Sequence, residues 1–250
     1  MDLDTTPRPV FLPRSSRFAV GVDLGQSVDP TAIAVLEKKT GVLDFRNAHD
    51  RHCNIAGPPQ KSHSLIEVRY LQRLPLGLDY PTIVERVIEL MGRAPLCGGE
   101  NQKPAELVID ETGVGRPVGD IFAASGLKPI RVSIVPGSEV TPQGNDRWNV
   151  AKSILISNLD ALLNTGELKI AAGLAEADAI KAEFQDFRRK LSETGKPTYG
   201  ARVGRHDDLL FAVAIGCWWL CRPPPAVAVW GRYSLRDPSV KNWHSEYRKN

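Results

Sequence analysis

Three groups of aspartates lie where carboxylates from distant parts of the chain can act together. Asp23 ends a stretch with apolar residues at alternate positions, Asp110 ends the short apolar run ELVID, and Asp207-Asp208 open a long apolar stretch. These patterns predict two strands that each end in an acid, and a helix that begins with two. A carboxylate at the end of a buried strand has to be paired, hydrogen-bonded or bound to a metal, because burying it alone is costly.

Divalent-metal chemistry follows if the fold brings these acids together. In a sheet where the strand ending at Asp23 lies beside the strand ending at Asp110, the two carboxylates are neighbours, and the late helix can add a third. Such a cluster repels itself and raises its own pKa values unless a cation is bound. Hard divalent ions prefer oxygen ligands. Two of them, about 3.5–4 Å apart, can clamp the attacking and leaving oxygens of a phosphodiester.

Each acid also has a simpler structural interpretation. Asp23 at a strand end can be a turn or cap residue, and Asp207-Asp208 can simply cap their helix. Asp29 precedes a proline, which favours a turn residue, although it can also be an accessory acid near the metals. Glu111 follows Asp110 and should point the opposite way if the strand continues, which favours a structural role.

The element pattern predicts an α/β fold with a mixed sheet. The expected order is β-β-β-α-β-α-β followed by helices, with the first three strands antiparallel and helices on both faces of five or slightly more strands. Strands are predicted at 17–23, 31–38, 65–74, 106–110, 130–135 and 168–170. Helices are predicted to start at Tyr80 and Gly113, and to cover 147–163, 175–191 and 206–220.

The chain length fits a single sizeable domain with short appendages. Its 250 residues are 42% hydrophobic, enough for one core. We expect a flexible lead over residues 1–16, a domain over 17–221 and a Pro-rich, aromatic and basic tail over 222–250. A turn is predicted at Thr40-Gly41, and residues 44–63 are expected to form a surface excursion.

Charge and cysteine content limit the function classes. A net charge of +3 is only mildly basic, so nucleic-acid binding requires a local basic patch. The four cysteines show no CxxC spacing, which favours a reduced, intracellular protein. No apolar run is long enough for a membrane span, so no membrane partner is expected. Candidate DNA contacts are Arg202 and Arg205, which flank the Asp207-Asp208 pair and for which a plain surface role is the alternative. His206 is compatible with helix capping, phosphate binding or tuning of the neighbouring acids.

Five stretches together resemble the nuclease domain of the large terminase subunit of tailed bacteriophages, a branch of the RNase H-like (retroviral integrase) superfamily. The resemblance covers about residues 17–221, and the order of the motifs, with HDD opening the last helix, is its most specific feature. The stretches are VGVDLGQSVDPTAIAVLE (20–37), LPLGLDYPTIVERV (74–87), LVIDETGVGRPVGDIF (107–122), KSILISNLDALLNTGELKI (152–170) and GRHDDLLFAVAIGCWW (204–219).

The resemblance implies an RNase H-like fold and an endonuclease that depends on Mg²⁺ or Mn²⁺, with two ions expected. It implies cleavage of double-stranded, concatemeric phage DNA during packaging, in the cytoplasm of a bacterial host. By motif match, Asp23, Asp110 and one or both of Asp207 and Asp208 are the implied metal ligands. Asp29 matches an additional acid of some members. Lys152 matches a basic residue early in its helix, which implies a contact with DNA phosphate, with a plain surface lysine as the alternative.

One departure from the family concerns the ATPase. Large terminase subunits carry an N-terminal P-loop ATPase, but GxxxxGK[ST] does not occur in these 250 residues. We therefore expect an isolated nuclease module, a split gene product, a prophage remnant or a cut-down form. The implied partners besides DNA are a separate packaging ATPase, a small terminase subunit or a portal protein.

Three other functions are compatible with parts of the sequence. GVDLG is similar to the phosphate-binding turn of actin-like and sugar-kinase-like phosphotransferases, although DETGVG is a poor second phosphate loop. Another RNase H-like nuclease, such as a junction resolvase or a transposase, would differ in the DNA structure that it cuts. A catalytically silent packaging module would bind DNA or portal protein without metal-dependent cleavage.

Overall fold

A mixed eight-stranded sheet forms the centre of the fold. The computed structural model of the chain describes residues 9–25, 29–46, 51–53, 61–193 and 207–222, with the backbone alone over 187–193. The strands are β1 (Val10–Asp23), β2 (Ala32–Asp44), β3 (Lys61–Arg73), β4 (Glu106–Asp110), β5 (Ile130–Val135), β6 (Val140–Pro142), β7 (Arg147–Ala151) and β8 (Leu168–Ile170). The helices are α1 (Tyr80–Met91), α2 (Arg116–Ala124), α3 (Lys152–Asn164), α4 (Ala177–Glu193) and α5 (Asp208–Cys221).

The strand order across the sheet is β6-β7-β5-β4-β1-β2-β3-β8. β1, β2 and β3 pair antiparallel, whereas β4 runs parallel to β1, and β5 parallel to β4. The predicted mixed sheet, with three antiparallel strands first, is therefore confirmed. β7 and β6 extend one side of this five-stranded core and β8 extends the other.

Helices cover both faces of the sheet and form two separate cores. On one face, α3, α4 and α5 pack over residues such as Ala19, Ala34 and Val108. On the other face, α1 and α2 pack over Val20 and Ile109. Side chains alternate between faces along a strand, so the two cores use alternate residues of β1 and β4.

Helix α5 is the most deeply buried helix, and glycine lets it lie close to the sheet. Nearly all its side chains are buried, from Asp208 to Leu220. A Cβ on Gly21 of β1 would collide with the carbonyl oxygen of Ala212, a backbone atom. Because Gly21 has no side chain, α5 can lie close to β1, the strand that ends in Asp23.

The first strands are longer than the sequence predicted. β1 begins at Val10, where it pairs with Asp44, so residues 10–16 are strand and the expected start at residue 17 is wrong. β2 continues through Thr40-Gly41, so the predicted turn is also wrong. A Cβ on Gly41 would collide with the carbonyl oxygen of Leu12. This glycine therefore serves close strand packing.

Two further predictions were wrong around residue 147. The segment Arg147–Ala151 forms β7 and the helix begins only at Lys152, because pairing with β5 holds the five residues extended. Residues 136–146, which the sequence pattern assigned to neither a strand nor a helix, contain the short strand β6, which pairs antiparallel with β7. Tertiary pairing with a neighbouring strand therefore overrides the local helical pattern.

The remaining predicted elements are present with ends shifted by a few residues, as is usual for boundaries. These are β3, β4, β5, β8 and the helices α1, α2, α4 and α5.

None of the five helices in the described part of the chain combines the length and apolar composition of a membrane-spanning helix. Most of the predicted surface excursion at 44–63, residues 194–206 and the tail from 223 onward lie outside the described residues. The proposed domain limits stay a prediction.

Candidate functional site

Asp23 and Asp110 lie side by side at one edge of the sheet. β1 and β4 pair in parallel with Asp23 directly opposite Asp110, so both side chains are on the face covered by α5. Asp110 is only 5% exposed, while Asp23 keeps part of its side chain accessible. The two strand-end acids, which are far apart in the sequence, therefore form the carboxylate pair expected if these strands are neighbours.

The start of α5 brings two more carboxylates to this edge. Asp208 lies one helical turn before Ala212, which contacts Gly21, and Asp23 lies two residues after Gly21 on the same face of β1. Residues one turn apart share a helix face, so Asp208 is directed toward Asp23. Asp207 occupies the N-cap position, but its side chain makes no capping hydrogen bond. The alternative that Asp207 serves as a side-chain cap is therefore not observed.

Electrostatics show that these acids share one environment. Burial raises the pKa of Asp23 well above its ordinary value, and the charges of Asp110, Asp208, Asp207 and Glu183 raise it further. Burial also raises the pKa of Asp110 to about 6, although Thr112 N–H donates a hydrogen bond of 2.8 Å to its carboxylate. Five carboxylates from β1, β4, α4 and α5 thus repel one another within one cluster.

Two basic side chains form ion pairs with this cluster. Lys152 Nζ lies 3.9 Å from Asp207 Oδ2 and 4.5 Å from the centre of the Phe211 ring, and its charge lowers the pKa of Asp110. Arg73 Nε lies 3.5 Å from Asp208 Oδ2, and the same guanidinium pairs with Glu183. The two cations are thus outnumbered by the five acids of the cluster.

The donor set fits a hard divalent cation by its chemistry, although the side chains are not arranged around one point. All five groups are carboxylates, the ligands that Mg²⁺ and Mn²⁺ accept, and their mutual repulsion favours an added cation. In the described ranges, no group of three or more His, Cys, Asp or Glu side chains is positioned to hold one metal ion. Metal binding would therefore require the carboxylates to approach more closely than they do beside Arg73 and Lys152.

Sequence reasoning missed Glu183 and Arg73. Glu183 is only 7% exposed and follows the fully buried Ile180 by three residues on α4, so it lies on the apolar face of that helix. A carboxylate on the apolar face of an amphipathic helix was the available signal. Burial raises the pKa of Glu183 to about 8, with Arg73 opposing the shift. Arg73 is the last residue of β3, and its sequence neighbourhood carried no signal.

The other predicted site residues lie in different places. Asp29 is exposed and lines a separate cleft of about 490 Å³ beside Tyr80, as a turn residue would. The side chain of Glu111 lies 3.9 Å from Arg147 Nε, and alternation along the chain puts it on the opposite face from Asp110. Arg202, Arg205 and His206 lie outside the described residues.

Comparison with known proteins gives matches among solved structures only. No protein-family model matches the sequence, and no curated protein matches it. The large terminase nuclease from thermophilic phage G20c is 19% identical over 81% of each chain, with a TM-score of 0.47. The human cytomegalovirus terminase nuclease domain, Mn soaked, is 13% identical over 90% of each chain, with a TM-score of 0.44. The chain is thus similar to large terminase nuclease domains, the resemblance stated from its sequence.

Proposed function

We propose that this chain is a divalent-metal-dependent endonuclease that cuts double-stranded DNA, as the terminase nucleases that it resembles do during genome packaging. One observation carries the proposal: Asp23 and Asp110 lie directly opposite each other at the ends of paired strands, where burial and four other acids raise the pKa of Asp23. Buried acids that repel one another are costly for the fold. The cost is understandable when a cation has to bind there.

In this proposal Asp23, Asp110 and one or both of Asp207 and Asp208 hold Mg²⁺ or Mn²⁺, two ions in all. Metal bound there supplies Lewis-acid stabilisation of the attacking and leaving oxygens of a phosphodiester. Asp23 and Asp110 supply a rigid pair of ligands because both end strands of the central sheet. The acids at the start of α5 belong to the helix that covers this face of the sheet, and Arg73 pairs with one of them, Asp208.

Substrate and partner assignments extend the same proposal. Lys152 lies beside Asp207 with its side chain 23% exposed, so it can attract a DNA phosphate next to the acids. Arg202, Arg205 and His206 precede Asp207 in the sequence and are proposed as further phosphate contacts. The proposed partners are a separate packaging ATPase, a small terminase subunit or a portal protein, in the cytoplasm of a bacterial host.

Plasmid cleavage tests the function directly. Supercoiled plasmid is incubated with the protein and Mn²⁺ or Mg²⁺, with EDTA as the metal-free control, beside Asp23→Ala and the double Asp207→Ala/Asp208→Ala variant. We expect metal-dependent conversion to linear DNA by the wild type and loss of it in both variants. Equal cleavage by wild type and variants would reject the site.

A catalytically silent packaging module is the second candidate, and two observations favour it. In the described part of the chain, no three potential ligands are arranged to hold one ion, and Arg73 and Lys152 already neutralise part of the cluster. This candidate predicts DNA or portal binding that does not change with Mn²⁺. Isothermal titration of the wild type and of Asp23→Ala with Mn²⁺ decides between the two, because the silent module would give no binding that is lost in Asp23→Ala.

A further inference from the structure

A side chain from another helix accepts a hydrogen bond from the buried start of α5. The first N–H groups of a helix have no partner within it, and an N-cap side chain commonly accepts a hydrogen bond from the second or third of them. Asp207 occupies the N-cap position of α5 without doing so. Leu210, the third residue of the helix, donates its N–H instead to Glu183 Oε2 at 2.8 Å. The acceptor lies 27 residues earlier in the sequence, on α4.

Arg73 fixes the side chain that accepts this bond. Its guanidinium pairs with Glu183 and, through Nε, with Asp208 Oδ2 at 3.5 Å. Arg73 also lies 3.8 Å from Glu176 on the loop before α4. A planar guanidinium can contact several carboxylates in fixed directions. The end of β3, the middle of α4 and the start of α5 are therefore joined through one arginine.

We propose that Glu183 is a positioning residue of the acid cluster, which caps α5 from outside and so leaves the Asp207 carboxylate available to the site. An acid at the N-cap would ordinarily turn back to its own helix. With the Leu210 N–H already bonded to Glu183, Asp207 pairs with Lys152 and Asp208 with Arg73. The metal-related part of this inference rests on the proposed function, whereas the capping part does not.

Two variants of Glu183 show whether it acts by accepting the Leu210 hydrogen bond or by its negative charge. Glu183→Ala removes the acceptor, whereas Glu183→Gln keeps an amide oxygen that can accept from Leu210. Amide hydrogen exchange of Leu210, followed by NMR in the metal-free protein, reports the opening of the helix start. We expect about tenfold faster exchange in Glu183→Ala, the range of a lost cap, and near wild-type exchange in Glu183→Gln. Asp178→Ala, which removes an exposed acid from the same helix, is the control and should leave exchange unchanged.

Mn²⁺ binding by isothermal titration is the second readout. We expect weaker binding by Glu183→Ala and retained binding by Glu183→Gln, because the position of the α5 acids persists in the latter. Unchanged Leu210 exchange in Glu183→Ala would overturn the proposal. Equal loss of Mn²⁺ affinity in both variants would also overturn it, because Glu183 would then act through its charge. If the wild type binds no Mn²⁺, the proposed function fails while the exchange result still decides the capping.

A change at Arg73 keeps the test decisive if Glu183→Ala does not fold. Arg73→Lys retains the positive charge but loses the planar group that reaches both Glu183 and Asp208. We expect faster Leu210 exchange in this variant as well, by a smaller factor than for Glu183→Ala. Exchange as slow as in the wild type would show that Arg73 does not hold the capping side chain.

Discussion

Two strand-end aspartates of the sheet have opposite electrostatic surroundings. Asp44 ends β2 and is 1% exposed, and Arg46, two residues later, donates to both its carboxylate oxygens at 2.8–3.1 Å. Those bonds lower its pKa to about 2. Asp110 ends β4 and is 5% exposed, but burial raises its pKa to about 6. The same residue type at the same kind of position is thus stabilised as a charge in one place and destabilised in the other.

The difference lies in where the counter-charge comes from. Asp44 pairs with Arg46, two residues later in the same chain, so its negative charge is neutralised within the fold. Asp23 and Asp110 lie among other acids, and the cations Lys152 and Arg73 form their ion pairs in this cluster with Asp207, Asp208 and Glu183. We infer that Asp44 serves the fold and that Asp23 and Asp110 serve an added cation. The following predictions test this comparison, from the largest expected effect to the smallest.

Replacing Asp23 with the uncharged, isosteric asparagine should distinguish the acid cluster from the Asp44 site most strongly. Asp23→Asn removes a proposed ligand, so plasmid cleavage should fall by more than about a hundredfold, since losing the partner of a ligand alone costs about 10–100-fold. Its metal-free melting temperature at pH 8 should be equal to or above that of the wild type, because one repelling charge is gone. Cleavage assays and calorimetry measure the two effects.

Asp44→Asn is the matched control and should show the reverse. It removes a paired charge, so the melting temperature should fall while metal-dependent cleavage stays at the wild-type rate. If Asp44→Asn abolished cleavage, or Asp23→Asn lowered metal-free stability as much as Asp44→Asn, the distinction between the two regions would be wrong.

The pH dependence of metal-free stability should follow from the acid cluster. The pKa values in the folded state are about 6 for Asp110 and about 8 for Glu183, against about 4 in an unfolded chain. Between about pH 4 and pH 8 the folded state therefore binds more protons, so its stability falls as pH rises through this window. Asp44, whose pKa is lowered, contributes stability that is lost only below this window.

Thermal melts across this window, with and without Mn²⁺, check the prediction. The melting temperature without metal should fall from about pH 5 to about pH 8.5, and Mn²⁺ should raise it more at the higher pH because metal competes with protons. Asp110→Asn should flatten the pH dependence. A melting temperature that rises steadily across this range without metal would show that the acids do not repel one another in the fold.

Lys152 should have the smallest effect on stability and a separate effect on DNA. Its pair with Asp207 is 3.9 Å long and partly exposed, so Lys152→Gln should cost less than about 1 kcal/mol. If Lys152 contacts a phosphate, the KM for DNA should rise and the slope of log affinity against log salt should fall by about 1. Lys169→Gln, at an exposed position on β8, is the control. If the salt dependence of DNA affinity has the same slope in Lys152→Gln and Lys169→Gln, Lys152 serves only as a counter-ion to Asp207.

Local signals in the sequence were sufficient for most elements of the fold. Tyr80-Pro81 opens α1 as predicted, with Asp79 accepting from Thr82 N–H at the N-cap, and ELVID forms β4. The errors occur where pairing with a distant strand decides the conformation. β7 was predicted as helix because its partner β5 lies more than ten residues earlier, and Gly41 was predicted in a turn because its contact with Leu12 is not local.

The candidate site was predictable as a set of acids but not as an arrangement. Asp23, Asp110 and Asp207-Asp208 stood out because acids at the ends of apolar runs are locally visible. Glu183 was harder to predict, since identifying it requires knowing which face of α4 packs against the core. Arg73 was not visible at all, because its role depends on how the end of β3 meets α4 and α5.

The sequence by itself determined which residues carry charge at the ends of buried segments, since apolar periodicity and turn residues act within a few positions of the chain. Only the tertiary structure decided which of these charges meet. The parallel register of β1 with β4 sets Asp23 against Asp110, and the missing side chain of Gly21 admits α5 close enough for its acids to join them. Coulomb interactions depend on distance in space, and distance in space is a property of the folded chain alone.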